Sequence, residues 1–251
     1  MCFTIVVFCT RIVGNISPKS EIKVEQGGAS MHIANNILKY YLRNVLFITG
    51  TAYAGKSTMV RMLAEKYNLV HCGENYHAQI PAEVLSLTDQ PNLNYFKTMK
   101  DWQEFIHRTP EEYTRWIVDS SKEAAEIEVA MLISLSQERK VIADTNIPID
   151  DLKQIAGYHQ VAVMLSPQAM SVDYFFERDD AEKVFLKEQI QKAKDPIQAM
   201  QNFRACLASI NSQERYDRLA HSGFFTLVRE DAEADTRQEV LDQLARHFGL
   251  V

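Results

Sequence analysis

Residues 50–58 read GTAYAGKST: two glycines five positions apart, then a lysine, a serine and a threonine. These are the residue types that bind an anion. Glycines let a backbone turn tightly enough to aim successive N–H groups at one point. A helix beginning at the end of such a turn adds its positive dipole end. Phosphate is the natural occupant. Lys56 would bring a full charge to the outer phosphates, and the Ser57 hydroxyl is placed to ligate Mg²⁺. The alternative is a glycine-containing turn with an incidental lysine.

That chemistry needs a strand before the turn and a helix after it. RNVLFITG (43–50) is apolar, β-branched and aromatic, ends on glycine, and reads as a short buried strand. In KSTMVRMLAEKY (56–67), Met59, Met62, Leu63 and Tyr67 recur at helical spacing. The pattern Gly50-x-x-x-x-Gly55-Lys56-Ser57 in this context is that of a P-loop. It makes Gly50, Thr51, Ala52, Tyr53, Ala54, Gly55, Lys56, Ser57 and Thr58 the expected nucleotide-binding residues.

Four more strands are expected: NLVHCG (68–73), RKVIADTN (139–146), HQVAVMLSP (159–167) and GFFTLVRE (223–230). Residues 81–137 are mostly helical by pattern. RTPEEYTRWI marks a helix start there, with Thr109 as cap, Pro110 at the first position and Glu112 closing a capping box. Ser166-Pro167 opens a helical stretch over 168–222, broken near Lys194-Asp195-Pro196. A last helix over 235–249 is expected to be capped by Thr236, with Glu239 three residues on. Strands alternating with helices require crossover connections and a parallel sheet. The expected fold is therefore α/β, a five-stranded, doubly wound parallel sheet with its ligands at the carboxyl ends of the strands.

Composition narrows the classes. A formal net charge of -6, with no lysine or arginine block, argues against a nucleic-acid partner. Cys2, Cys9, Cys72 and Cys206 form no CxxC pair, and their scatter suits reduced thiols in a cytoplasm. No run approaches 18 apolar residues, so no membrane partner is expected. MCFTIVVFCTRIV is apolar but lacks the basic start and small-residue cleavage site of a signal peptide. GNISPKSEIKVEQGGASM follows as a polar linker. Residues 1–30 are expected to be a poorly ordered N-terminal extension, or a stretch upstream of a start at Met31, and residues 31–251 a single domain. No HExxH, zinc-type Cys/His spacing, GxSxG or GxGxxG occurs.

Over residues 44–250, in order of elements, the chain resembles the P-loop small-molecule and nucleotide kinases, a group including nucleoside monophosphate kinases, shikimate kinase and chloramphenicol phosphotransferase. The likeness is specific at GTAYAGKST and topological elsewhere. It implies the strand order 2-3-1-4-5. The third strand then lies beside the first, and Asp144 of VIADT comes next to Ser57 to hold Mg²⁺ directly or through water; otherwise Asp144 is a turn or cap residue. It implies an acceptor site beyond the second strand, at CGENYHAQIP. There Glu74 orients or deprotonates the acceptor hydroxyl, with Asn75, Tyr76 and His77 as contacts; otherwise Glu74 is a solvated loop acid and His77 an ordinary loop histidine. The helical insertion 81–137, with Trp102, Arg108, Tyr113, Arg115 and Trp116, would cover the acceptor, although Tyr113, Trp116 and Ile117 also fit a helix face packed on the core. About 168–195 would be a lid in which Arg178 reaches the transferring phosphoryl group. The group's R-x-D-D is here Arg178-Asp179-Asp180, one residue short, and a surface ion pair is the other reading of Arg178. Arg204, Arg215 and Arg218 are secondary lid candidates. The implied function is transfer of the γ-phosphoryl group of ATP, with Mg²⁺, to a nucleoside, nucleotide or small metabolite. The alternative is a nucleotide-binding ATPase or switch acting through partners; the N-K-x-D run of guanine readers does not occur. The acceptor and the oligomeric state are not readable from the chain.

Overall fold

The computed structural model describes residues 32–177, 181–230 and 234–251. The expected N-terminal extension and the Arg178-Asp179-Asp180 run lie outside the described residues. In chain order the elements are α1 (Asn35–Tyr41), β1 (Val45–Gly50), α2 (Lys56–Tyr67), β2 (Val70–Cys72), α3 (Tyr95–Thr98), α4 (Trp102–Ile106), α5 (Pro110–Leu135), β3 (Val141–Asp144), α6 (Ile149–Ile155), β4 (Val161–Leu165), α7 (Gln168–Asp173), α8 (Ala181–Gln191), α9 (Pro196–Ile210), α10 (Gln213–Ala220), β5 (Phe225–Val228) and α11 (Arg237–His247).

The five strands form one sheet in the order β2-β3-β1-β4-β5, with every pairing parallel. β1 is central and buried along its whole length, which is why its sequence is a continuous apolar run rather than an alternating one. Its side chains divide by parity. Val45 and Phe47 join Val141, Ala143, Val161 and Val163 in a core on one face, closed by Leu132 of α5, Leu152 of α6 and Leu219 of α10. Leu46 and Ile48 join Ile142, Ala162 and Met164 on the other, closed by Val60 and Leu63 of α2 and Leu241 and Leu244 of α11. Each fully buried Leu, Ile, Val or Phe contributes about 1.5–3 kcal/mol. A third core of Phe105, Trp116, Ile190, Phe203 and neighbours knits α4, α5, α8 and α9 into a separate helical layer. Among the described residues no helix is long and apolar enough to cross a membrane.

The register places the chemistry. Ile48 pairs with Asp144 and Gly50 with Met164, so the Gly50 turn and the Asp144 carboxylate emerge at the same sheet edge. The capping box of α5 is formed: the Glu112 amide donates to Thr109 Oγ1 at 3.2 Å, and the Thr109 amide to Glu112 Oε2 at 2.9 Å. The helical break falls at Asp195, whose side chain accepts from the Gln198 amide as α9 begins at Pro196.

Two expectations change. Thr236 precedes α11 without a side-chain cap; Asp235 accepts from the Arg237 amide and holds its guanidinium, so the carboxylate one residue earlier serves the helix start. Residues 81–94 are turns rather than helix, held because Glu123 of α5 accepts from the amides of Asn92 and Leu93. As expected, the helix after Ser166-Pro167 begins at Gln168, and the Ser166 side chain turns back to the loop after β1.

Candidate functional site

The loop between β1 and α2 is polarised. On one side its carbonyls are taken up by side chains. Lys56 Nζ donates to Thr51 O at 2.9 Å, Ser166 Oγ and Ser171 Oγ donate to Ala52 O at 2.5 and 3.2 Å, and Arg229 Nη1 donates to Tyr53 O at 3.3 Å. The Thr51 amide bonds Met164 O of β4 at 3.0 Å, and the Thr51 hydroxyl accepts from the Ser166 amide at 2.7 Å. On the other side, among the described residues, no backbone carbonyl accepts from the amides of Ala54, Gly55, Lys56, Ser57 or Thr58. These are the loop's end and the first turn of α2, whose N–H groups a helix leaves without internal partners. The loop therefore presents donors, with its acceptors already occupied.

The two glycines are required for different reasons. Gly50 sits at φ +139°, and a Cβ there would lie 1.8 Å from Met164 O, so only glycine lets β1 close on β4 at its last pair. Gly55, at φ +88°, is the left-handed residue that starts α2; a Cβ there would meet Met164 Cε at an ordinary 3.9 Å, so backbone conformation rather than space requires glycine. Tyr53 also takes a left-handed conformation, φ 65°, and its hydroxyl donates to Tyr174 O.

Ser57 and Asp144 meet. Ser57 Oγ donates to Asp144 Oδ2 at 2.7 Å. Asp144 is 3% exposed, and no other described group donates to its carboxylate. Burial pushes its carboxyl above the ordinary pKa, with the Lys56 charge opposing and the Glu74 charge adding. Glu74 follows β2 and joins Ala52, Tyr53, Gly55, Lys56, Ser57 and Thr58 around a cavity of about 210 Å³. A second cavity, about 450 Å³, adjoins it at Gly55 and Thr58 and runs over Met164 and Leu227 to Arg229 and the start of α11.

The residues after Glu74 turn inward. Asn75, Tyr76 and His77 are all buried. His77 Nδ1 donates to Glu128 Oε1 at 3.1 Å, as a ring nitrogen beside a carboxylate must. Glu128, on α5 and 0% exposed, also accepts from Thr145 Oγ1 (2.7 Å), the Asn146 amide (3.1 Å) and Asn146 Nδ2 (3.0 Å). One buried carboxylate thus ties the loop after β2, which carries Glu74, to the loop after β3, which follows Asp144. Sequence reading missed it, yet a signal was present: Glu128 falls on the stripe Ile117, Ser121, Ala124, Leu132 that α5 buries.

Tyr113, Trp116 and Ile117 pack in the helical core. Arg108 lies over the Tyr95 ring, 3.8 Å from its centroid, and Trp102 stacks on Phe96, so the aromatics of this insertion pack on one another. α8 buries Leu186 and Ile190 in the same layer. Arg178 itself lies outside the described residues. Arg204 is exposed on α9, whereas Arg215 and Arg218 of α10 line a third cavity described below.

Searched against protein-family models, curated proteins and solved structures, the chain matches none of them.

Proposed function

We propose that the chain is a P-loop kinase that moves the γ-phosphoryl group of ATP to a hydroxyl of a small-molecule acceptor. The observation that carries this is the 2.7 Å contact between the motif serine, Ser57, and the strand-end carboxylate, Asp144, beside Lys56. The donor-lined loop would hold the phosphates, and the 450 Å³ cavity the nucleoside. Ser57 and Asp144 offer hard oxygen donors, and Asp144 keeps most of its lone pairs free of protein donors, so the pair fits Mg²⁺, which elsewhere keeps one or two protein ligands and completes its shell with phosphate and water. When bound, the ion would neutralise phosphate charge. In the transfer, the acceptor oxygen bonds to the γ-phosphorus as the bond to the β,γ-bridging oxygen breaks. ADP leaves with that electron pair, and the acceptor proton passes to a carboxylate, for which Glu74, lining the same cavity as Lys56 and Ser57, is the candidate.

The test is calorimetry with ATP and Mg²⁺, followed by ADP release measured with nucleosides, nucleotides, hydroxy acids and antibiotics. Acceptor-dependent ADP release supports the kinase. Absence of ATP binding overturns the P-loop assignment, and turnover indifferent to every acceptor gives the ATPase or switch instead.

A further inference from the structure

A third cavity, about 420 Å³, lies on the other side of the loop from the nucleoside cavity. Thr49 and Gly50 at the end of β1, and Asn146 after β3, line its inner end. The sheet order therefore sets the Gly50 turn between the two: one cavity over β4 and β5, the other over β1 and β3. Its outer wall comes from α5 and α10. Val118, Ile147, Ile149 and Leu219 make much of it apolar, while, among the described residues, Lys122, Arg215 and Arg218 carry positive charge against a single carboxylate, Glu214.

The three cations are not equivalent. Lys122 is paired with Asp119, and Arg218 with Asp150, both exposed. Arg215 is half-buried and has no carboxylate partner among the described residues. It stands in the first turn of α10, where the helix dipole disfavours a cation, and one turn from the like charge of Arg218. Burial, then the Arg218 charge, hold its guanidinium below the ordinary pKa. An arginine partly withdrawn from water, without a carboxylate partner among the described residues and set beside two further positive fields is unfavourable on three counts. A bound anion relieves all three.

We propose that this cavity is the acceptor site, and that the acceptor carries an anionic head group, a carboxylate or a phosphate, held by Arg215 with Arg218 beside it, on a compact and partly apolar body. The inference rests on the kinase reading, and it deepens it by naming the acceptor class: an acidic small molecule, not a neutral nucleoside or sugar. The apolar wall packs the body, and the inner end at Gly50 and Asn146 brings the far end of the molecule toward the loop.

Fluorine NMR on the full chain tests this with three probes of one shape: para-trifluoromethyl benzoate, para-trifluoromethylphenyl phosphate and the uncharged para-trifluoromethylbenzyl alcohol. The acids should bind and the alcohol should not; whichever acid binds more tightly identifies the head group. Arg215→Ala should weaken the acid at least about tenfold, the scale of a lost charge-assisted hydrogen bond. Arg215→Met, which keeps the stem, should weaken it as much while leaving the ligand-free thermal midpoint no lower than in the parent chain, because it removes an uncompensated charge. Equal binding of the alcohol, no acid binding in the parent chain, or unchanged acid binding in either variant overturns the site. ATP·Mg²⁺ titrated into the same samples reads the kinase proposal separately. ATP binding without acid binding removes the acceptor site alone, whereas acid binding without ATP binding removes the donor reading and the acceptor role with it.

Discussion

Removing the Glu128 carboxylate should loosen both loops that flank the candidate site, and the size of the effect follows from its partners. Four donors converge on it, at 2.7 to 3.1 Å. A hydrogen bond to a charged acceptor is worth roughly 1.5–3 kcal/mol, but these do not add. In Glu128→Ala the Thr145 hydroxyl can rotate, and Asn146 Nδ2 keeps its bond to Asn75 Oδ1. His77 Nδ1 and the Asn146 amide are left buried without an acceptor. Two stranded buried donors and the loss of the carboxylate's hydrogen bonds bring the loss to about 3–5 kcal/mol. Glu128→Gln keeps the shape and one acceptor oxygen, but turns an NH₂ group toward donors, for about 1–3 kcal/mol. Urea unfolding followed by tryptophan fluorescence measures both. With a slope near 3 kcal/mol/M, the alanine midpoint should fall by about 1–2 M and the glutamine midpoint by about 0.3–1 M. An alanine midpoint within about 0.2 M of the parent chain would refute the claim that Glu128 holds the two loops together.

Lys56→Ala should abolish ATP binding while leaving the unfolding midpoint nearly unchanged, since its ammonium bonds only a loop carbonyl; calorimetry showing normal ATP affinity would sink the phosphate-binding role. Gly50→Ala should cost at least about 3 kcal/mol, because the new methyl meets a backbone oxygen that β4 cannot move and φ is one that L side chains avoid; a midpoint matching the parent chain would contradict the close approach of β1 and β4. Asp144→Asn should raise the thermal midpoint of the ligand-free protein at pH 7. Its folded pKa is raised, so the folded state binds the extra proton between the ordinary carboxylate value and the raised one; stability falls as pH rises through that window and stays lower above it. The gap between variant and parent should close on acidification below the ordinary range, and equal midpoints at pH 7 would show that the buried charge costs nothing.

Much of the fold was legible because its signals are local. β1 to β5 are short apolar runs that end on Gly, Asp or a turn, and each lies within two residues or so of where its run placed it. The Thr109 capping box and the Asp195-Pro196 restart were readable for the same reason: cap and helix are neighbours in the chain. The order of the strands came with the family resemblance, and the observed pairing has that order. Illegible features depend on contacts between distant residues. Glu123 holds the turns at Asn92 and Leu93 from 30 or 31 residues away, so an apparently helical stretch stays irregular. α1 buries no residue and leaves no apolar stripe to find. At the site, the motif named the loop and Lys56, but not Ser166, Ser171 and Arg229, which occupy its carbonyls from β4, α7 and the end of β5.

Among the described residues two carboxylates are nearly inaccessible, Glu128 and Asp144, and their surroundings differ. Glu128 accepts from four donors, so its charge is compensated by the chain itself and nothing further is needed. Asp144 accepts from one, Ser57, although it is almost as buried. A carboxylate taken out of water without partners raises the free energy of the fold, and a chain keeps such a group only where something else completes it. Arg215, half-buried and without a carboxylate partner among the described residues, shows a milder deficit of the opposite sign. Both deficits sit at the carboxyl edge of the sheet, on either flank of the Gly50 turn. If a cation completes Asp144 and an anion completes Arg215, each ligand should stabilise the chain by more than its contacts elsewhere would give, because it also removes a standing cost. The diagnostic is thermal: ATP with Mg²⁺ should raise the midpoint of the parent chain more than that of Asp144→Asn, at concentrations that saturate both. Equal shifts would mean that the Asp144 deficit is met by water alone, and the contrast between the two carboxylates would then carry no information about the ligand.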